Sequence, residues 1–255
     1  MILLCLAILW FVNLHQDAKF LEVWLLRSSL FALASLLAVA GCSSTIDAYQ
    51  QTLKIAITVP DDVEIPLVEL QARTVPVLYL RPNDRGRVAL VATEIDGNSG
   101  ISNWLSADER IVQLTHGRIT KLQGFKPNYD FVQFSTADLI AQPLDRIRPG
   151  QTVQSTNDWS GSQLTSYLVE HEILEKTPAT LNFFNQDLAV VLVKEQVSFP
   201  DGSQFINQFW FDATSGELLQ SVQKASHFSP EFELIEISKI ARKLNLAQAM
   251  PGAKP

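Results

Sequence analysis

Short runs of apolar and β-branched residues, separated by turn residues, fill most of the chain. In one of them Val191, Val193, Val197 and Phe199 share one face of an extended strand, and Glu195 interrupts that face. The residues between them are largely polar. This alternation predicts strands that are buried on one side and wet on the other.

Turn sequences rich in Pro, Asn, Asp, Ser and Gly connect these runs and predict hairpins. The spacing predicts an all-β fold of antiparallel meander sheets, forming a curved sheet, a sandwich or an incomplete barrel, with one or two short helices. The predicted strands are 75–81, 87–95, 111–115, 118–122, 163–174, 188–199, 204–211, 217–224 and 232–239.

The β-rich domain is expected at residues 61–240, as one curved sheet or as two sub-sheets at 61–125 and 151–240. The alternation disappears between residues 126 and 148. There, 135–138 can cap a short helix over 139–141, which Pro143 stops. Residues 241–255 are expected to be a loose C-terminal tail, because the last nine residues have little apolar content.

The first 41 residues are predicted to be a signal peptide. They hold two apolar stretches, 1–14 and 20–40, of which the first is too short to cross a bilayer. Arg27 followed by a dozen apolar and small residues has the order of a leader's charged and apolar regions. We hypothesise that translation begins near Val23 or Leu25, at a codon other than AUG.

An abrupt change from apolar to polar residues occurs at Val39-Ala40-Gly41-Cys42, which is followed by Ser43. The segment resembles the lipobox of a bacterial lipoprotein, in which the cysteine receives a diacylglyceryl group and becomes the new N-terminus. A cysteine that is only a small apolar residue would leave the change in polarity unexplained. Residues 42–60 are then a lipidated tether with a marginal short helix.

Cysteine usage and charge exclude several classes of function. The other cysteine, Cys5, precedes the proposed cleavage site, so the mature chain can form neither an internal disulfide nor a thiolate metal site. The net charge of −7 belongs to the mature part, because the charges of the first 41 residues balance. This acidity argues against nucleic acid as the main partner.

Motifs for catalysis or cofactor binding are absent from the sequence. The three histidines after Cys42 lack metal-binding spacing, and Ser160-Gly161-Ser162 does not form a nucleophile elbow. Phosphate-cradling and dinucleotide-binding glycine motifs do not occur. We therefore expect no metal, no cofactor and no enzymatic activity. The histidines are His116, His171 and His227.

Adjacent carboxylates could suggest glycosidase acids, but neighbours on an extended chain point to opposite faces and cannot work as a pair. Asp61-Asp62 and Asp108-Glu109 are therefore predicted to be solvated turn residues. Tryptophans in alternating strands are more often core than sugar-stacking platforms. These are Trp104, Trp159 and Trp210.

Five segments in a fixed order resemble the YjbF/GfcB-type lipoproteins of exopolysaccharide and group 4 capsule operons. The resemblance covers about residues 47–239. It departs from the family at Gln123, where members tend to have Thr, and at Gln142, where Asp is expected. The segments are Trp104-Leu105-Ser106-Ala107-Asp108, His116-Gly117-Arg118-Ile119, Gly124-Phe125, Phe209-Trp210-Phe211-Asp212 and Ser215-Gly216.

The resemblance implies an outer-membrane lipoprotein that faces the periplasm and assists polysaccharide secretion together with other proteins of its operon. It supplies no catalytic residues. The motif positions have structural interpretations: a positive φ for Gly117, core for Trp104 and Trp210, and backbone hydrogen bonds in turns for Asp108 and Asp212. Arg118 is hypothesised to pair with one of those aspartates.

Ser43 after the cysteine is no inner-membrane retention signal under the enterobacterial sorting rule, so the outer membrane is the expected location. Polysaccharide is a further candidate partner. Two other functions remain open. One is a carrier that holds a lipid or lipoprotein in an apolar cavity of a curved sheet. The other is a polysaccharide-modifying enzyme, which requires Asp108 and Asp212 to converge across a cleft.

Overall fold

The computed structural model describes residues 62–83, 85–126, 128–160, 166–226 and 229–249. Cys42 and its lipobox lie outside these residues, as do the leader, the tether, Asp61 and His227. Among the described residues, no helix combines the length and the apolar character that crossing a bilayer would require.

In the part of the chain that the structure describes, twelve antiparallel strands follow one another as a meander and close into a barrel through the pairing of β1 with β12. The predicted all-β antiparallel fold is confirmed. The strands are β1 Val77–Pro82, β2 Val88–Asp96, β3 Ile101–Leu105, β4 Ile111–Thr115, β5 Arg118–Gln123, β6 Asn128–Phe134, β7 Thr152–Ser160, β8 Tyr167–Phe183, β9 Gln186–Ser198, β10 Gln204–Asp212, β11 Leu218–Lys224 and β12 Glu231–Ile235.

Within the described residues, two α-helices accompany the strands: α1, Leu67–Ala72, and α2, Ile237–Ala249. Residues 139–141 form the short helix expected after residue 138, as a 3₁₀ turn in which the Asp138 side chain accepts from the backbone N–H of Ile140 at 3.2 Å. A second 3₁₀ turn covers Leu144–Arg146.

The end of the chain differs from the expectation. Helix α2 replaces the end of the predicted strand 232–239 and the first part of the predicted loose tail. Ile237, Ile240, Ala241 and Leu244 are buried at intervals of three and four residues, which is the spacing of one helix face. They pack against the outer face of the barrel, where they contact the same apolar cluster as Val77.

Strand alternation divides the buried residues between the inside and the outside of the barrel. In β1, Leu78 and Leu80 point inward to the interior core, whereas Val77 and Tyr79 point outward to the cluster beneath α2. Large side chains fill the interior. The largest fully buried ones in the interior core include Trp104, Leu90 and Phe232.

Three strands occur where none was predicted: β3, β6 and β7. Between β6 and β7, residues 135–151 form a long connection that covers the interior at one end of the barrel. Its Leu139, Ile140 and Ile147 pack with Val193 and Phe209 in a separate buried cluster. This connection forms part of the candidate site.

Candidate binding cavity and buried charge cluster

The meander places alternate connections at the same end of the barrel, because each antiparallel strand reverses the chain. The connections β2–β3, β4–β5, β6–β7, β8–β9 and β10–β11, together with the start of α2, lie at one end, which we call the helix end. The β3–β4 and β5–β6 connections lie at the opposite end.

A cavity of about 580 Å³ opens at the helix end. Several positions from the sequence motifs line it, although they come from separate connections of the chain. They are Trp104, His116, Gly117, Phe211, Gly216 and Gln142. The sequence motifs identify these positions, but their arrangement around one cavity depends on the folded structure.

The β4–β5 turn forms one wall of the cavity, and its backbone is unusual. His116 has a φ of +50° and Gly117 a φ of +86°. A Cβ atom on Gly117 would lie 2.2 Å from Cδ2 of Leu218, so a side chain at this position would have to displace the end of Leu218. The backbone carbonyl of Gly117 accepts from Nε2 of Gln223 at 2.8 Å.

Arg118 points from this turn into the barrel, where it is only 4% exposed. Its Nε and Nη2 donate to Asp138 at 2.6 and 2.8 Å, and its Nη1 and Nη2 donate to Glu195 at 2.8 and 2.6 Å. The hypothesised pairing with Asp108 or Asp212 is therefore wrong. The guanidinium instead binds two carboxylates that are distant in sequence.

Glu195 is fully buried at the centre of a wider polar cluster inside the barrel. It accepts from Nδ2 of Asn207 at 3.2 Å and lies 3.4 Å from Nδ1 of His171. Nε2 of His171 is 2.8 Å from Oγ of Ser155. We call Arg118, Asp138, Glu195, His171, Asn207, Ser155 and Asn157 the polar cluster; Asn157 joins it through a 2.9 Å hydrogen bond from Ser155.

The electrostatics keep the central pair ionised. Burial alone would lower the pKa of Arg118, but the charges of Asp138 and Glu195 raise it above its ordinary value. Burial alone would raise the pKa of Glu195, but Arg118 and His171 hold it well below its ordinary range. At neutral pH these groups form an ion pair with no proton to exchange, which suits a structural role.

The polar cluster positions residues 139–141, which contribute to one wall of the cavity. Asp138 binds Arg118 through its carboxylate and caps the 3₁₀ turn that contains Ile140 and Ala141, both of which line the cavity. Residues 139–141 are thus attached to the barrel interior by an ion pair.

Asp108 and Asp212 do not converge. Asp108 lies in the β3–β4 connection, where it accepts from Oγ of Ser106 and pairs with Nε of Arg110 at 2.9 Å. Asp212 lies at the helix end, accepts from the backbone N–H of Thr214 and of Ser215, and pairs with Lys243 at 2.6 Å. Because they occupy opposite ends of the barrel, they cannot act together on one sugar.

The backbone hydrogen bonds expected at both aspartates occur only at Asp212, since Asp108 accepts from side chains. Trp104 and Trp159 are buried inside the barrel. Trp210 faces outward and is partly buried against the cluster beneath α2. Within the described residues, no three His, Cys, Asp or Glu side chains are grouped as a metal site would need.

Asp138 and Glu195 were missed as partners of Arg118, and His171 was missed as a neighbour of Glu195. The available signal was the charge at position 195 on an otherwise apolar strand face, because a buried carboxylate needs a cation. Which cation it meets depends on the closure of the barrel. Position 118 is far from 195 in sequence, and the two side chains meet across the interior.

Comparison with known proteins supports one family. The family described as "Group 4 capsule polysaccharide lipoprotein gfcB, YjbF" matches residues 50–240. The chain is 26% identical over 197 residues to "Uncharacterized lipoprotein GfcB" of Escherichia coli (strain K12), a match that covers 76% of this chain and 89% of that protein. 

The crystal structure of "the hypothetical lipoprotein YmcC from Escherichia coli (K12)" has a similar fold, with a TM-score of 0.59. It is 23% identical in sequence, and the match covers 74% of this chain and 93% of that one. At this identity the likeness concerns the fold alone.

Proposed function

Because the chain belongs to the YjbF family of group 4 capsule polysaccharide lipoproteins, we propose that it is an accessory lipoprotein in the secretion or assembly of a capsule or exopolysaccharide. It is held at the periplasmic face of the outer membrane through Cys42 and works with other proteins of its export system. The observation that carries the proposal is the family match, which covers nearly the whole barrel.

The role is non-enzymatic. The buried charges Arg118 and Glu195 bind each other and hold the barrel together, and the candidate acids Asp108 and Asp212 lie at opposite ends. These ionisable groups stabilise the fold and are not arranged for catalysis, as is expected of an assembly factor. The cavity at the helix end then offers a binding surface and not a reaction centre.

The anchor needs more than one acyl chain. A single chain binds a membrane only marginally, with an association constant of about 10⁴ M⁻¹, and each further buried methylene adds about 0.8 kcal/mol. Cys42 with two or three chains would keep the barrel on its membrane.

Deletion of the gene tests the proposal. We expect less polysaccharide at the cell surface, restored by the wild-type gene but not by Cys42→Ala. The matched control is Cys5→Ala, which lies in the proposed leader and should restore secretion fully. Unchanged surface polysaccharide in the deletion strain would refute the accessory role, and full restoration by Cys42→Ala would refute the need for the anchor.

Labelling with radioactive palmitate and separation of the two membranes on a density gradient test the location. The wild-type protein should carry label and sediment with the outer membrane. Ser43→Asp should keep its label but remain in the inner membrane. Label on Cys42→Ala, or an unchanged distribution of Ser43→Asp, would contradict the proposed sorting.

A further inference from the structure

The cavity at the helix end has the size of a ligand site. Its volume of about 580 Å³ falls within the range of roughly 300–1,000 Å³ that is usual for small-molecule pockets. Its walls come from four connections of the barrel and from the first turns of α2. One of these walls, residues 140–143, is held by the Arg118–Asp138 ion pair.

Buried apolar side chains form the floor of the cavity. Trp104, Phe211 and Leu218 all line it and are each less than 10% exposed. The indole N–H of Trp104 donates to Oγ of Ser102 at 2.9 Å, and the residue itself is only 2% exposed. The floor therefore closes the cavity from below, and contact with a ligand falls to the more exposed side chains around it.

Polar side chains line the cavity above this floor. Gln142 supplies an amide that both donates and accepts, Glu217 accepts, and Arg242 and His116 donate. Hydroxyl groups need both kinds of partner, because each one donates once and accepts twice. A lipid chain would leave these polar groups without partners, at a cost in free energy.

The charges around the cavity oppose each other. Asp96, Glu217 and Glu236 stand against Lys239 and Arg242, and Glu236 pairs with Lys239 at 3.2 Å. A ligand of either sign would meet repulsion from part of the lining. The lining therefore suits an uncharged, hydroxyl-rich ligand better than an anion or a cation.

We infer that this cavity binds a short, uncharged segment of a polysaccharide, whose hydroxyl groups form hydrogen bonds with Gln142 and Glu217. The inference rests on the proposed function, which it deepens by naming the ligand class and the site. The barrel then contacts the exported polymer itself as well as its protein partners.

Binding can be measured with the full chain purified in detergent. The probe is a set of short fragments, made by partial hydrolysis of the producing strain's own polysaccharide and separated by size. Isothermal titration calorimetry should show binding of at least one fraction. Raising the salt from 50 to 500 mM should change Kd less than about twofold, because an uncharged ligand is not screened.

Two substitutions address the site. Gly97→Leu places a side chain at the cavity in a position where a Cβ meets no atom within 4 Å, so it should fold normally and weaken binding about tenfold or more. Gln142→Ala removes hydrogen bonds and should weaken binding about fivefold. Lys126→Ala, in the separate cavity at the opposite end, is the matched control and should leave Kd unchanged.

Circular dichroism and thermal unfolding confirm that each variant is folded. Absence of binding to every fraction, equal binding by wild type and Gly97→Leu, or a strong salt dependence would overturn the inference. If the deletion strain secretes normally while fragments bind in the cavity, the proposed function fails and the sugar site stands. If secretion is lost but no fragment binds, the proposed function stands and the site fails.

Discussion

The barrel interior has two regions that are held together in different ways. On one side, strands β1 to β4 and β12 contribute apolar side chains such as Leu78, Leu90, Trp104 and Phe232. On the other, strands β7 to β10 contribute the polar cluster, which closes around Arg118 of β5. The first region is stabilised by the apolar surface area that it removes from water, and the second by the ion pairs and hydrogen bonds among its polar side chains.

This difference affects how each region tolerates change. An apolar core loses free energy in proportion to the atoms removed and the cavity left behind. A buried ion pair loses much more when one partner is removed, because the other charge remains buried without compensation. The polar cluster is therefore the more fragile region, and it is also the one that holds the wall of the cavity.

The largest effect should come from Arg118→Met. It leaves Glu195 buried without its cation, so we expect the free energy of unfolding to fall by about 3–5 kcal/mol, measured by urea denaturation. Arg110→Met is the matched control. Arg118 lies over the rings of Phe134 and Phe209, and Arg110 likewise lies over the ring of Phe125. The partner of Arg110, Asp108, is at the surface, so the free energy of unfolding should fall by only about 0–1 kcal/mol.

Equal losses of unfolding free energy in Arg118→Met and Arg110→Met would show that the burial of the polar cluster does not increase its contribution to stability. Removing the second partner sharpens the test. In Arg118→Met with Glu195→Gln, the charge of the fully buried Glu195 is gone, and only Asp138, whose side chain is 12% exposed, still lacks its cation. The double variant should therefore be more stable than the sum of the two single losses predicts. Additive losses would contradict the ion pair as the source of the effect.

The apolar region should respond to Leu90→Ala, which removes part of a fully buried side chain. We expect a loss of about 3 kcal/mol in the free energy of unfolding. Val91→Ala, next in the strand but 39% exposed, should cost less than about 0.5 kcal/mol. A similar cost at both positions would mean that the inward and outward faces of β2 are assigned wrongly.

The same two regions explain which parts of the fold could be predicted. Strand β9 was found from its alternation, and Glu195 stood out because it broke that alternation. Strand β7 was missed because its inward positions include Ser155 and Asn157, which serve the polar cluster and so carry no apolar signal. In β6 a register shift between Tyr129 and Phe131 disturbs the period of two.

Other features depended on contacts that sequence does not display. The closure of β1 on β12 joins strands from the two ends of the domain, and the site at the helix end exists only after that closure. The face of α2 did carry a signal, since Ile237, Ile240, Ala241 and Leu244 follow a helical period. That signal was overlooked because residues 232–239 also fit a strand.

A smaller effect should appear as a dependence of stability on pH. The folded-state pKa of Glu195 lies below its ordinary value near 4.5, so its contribution is fully present above that value and is lost as the pH falls further. Urea midpoints should therefore decline below about pH 4.5. Glu195→Gln has no carboxylate that can take up a proton and should show a flatter acid profile.

Leu90→Ala serves as the control for the pH profile, because it is destabilised without loss of a titrating group. Its profile should run parallel to that of the wild type. An acid profile of Glu195→Gln that is as steep as the wild type's would assign the acid sensitivity to other carboxylates, such as Asp212, whose pKa is also lowered by Lys243 and by backbone N–H groups despite its burial.

The smallest effect should come from Gly117→Ala, at the junction between the cavity and the polar cluster. A left-handed backbone conformation costs a residue with a side chain about 1–2 kcal/mol, and the new methyl group must also displace Leu218. Gly97→Ala, which meets no atom within 4 Å, should be nearly neutral. If the β4–β5 turn adjusts without moving Arg118, the urea midpoint of Gly117→Ala should depend on pH in the acid range as that of the wild type does. A loss of unfolding free energy close to that of Arg118→Met, together with a flattened acid profile, would show instead that the turn and the polar cluster form one unit. The two regions of the interior would then not be independent.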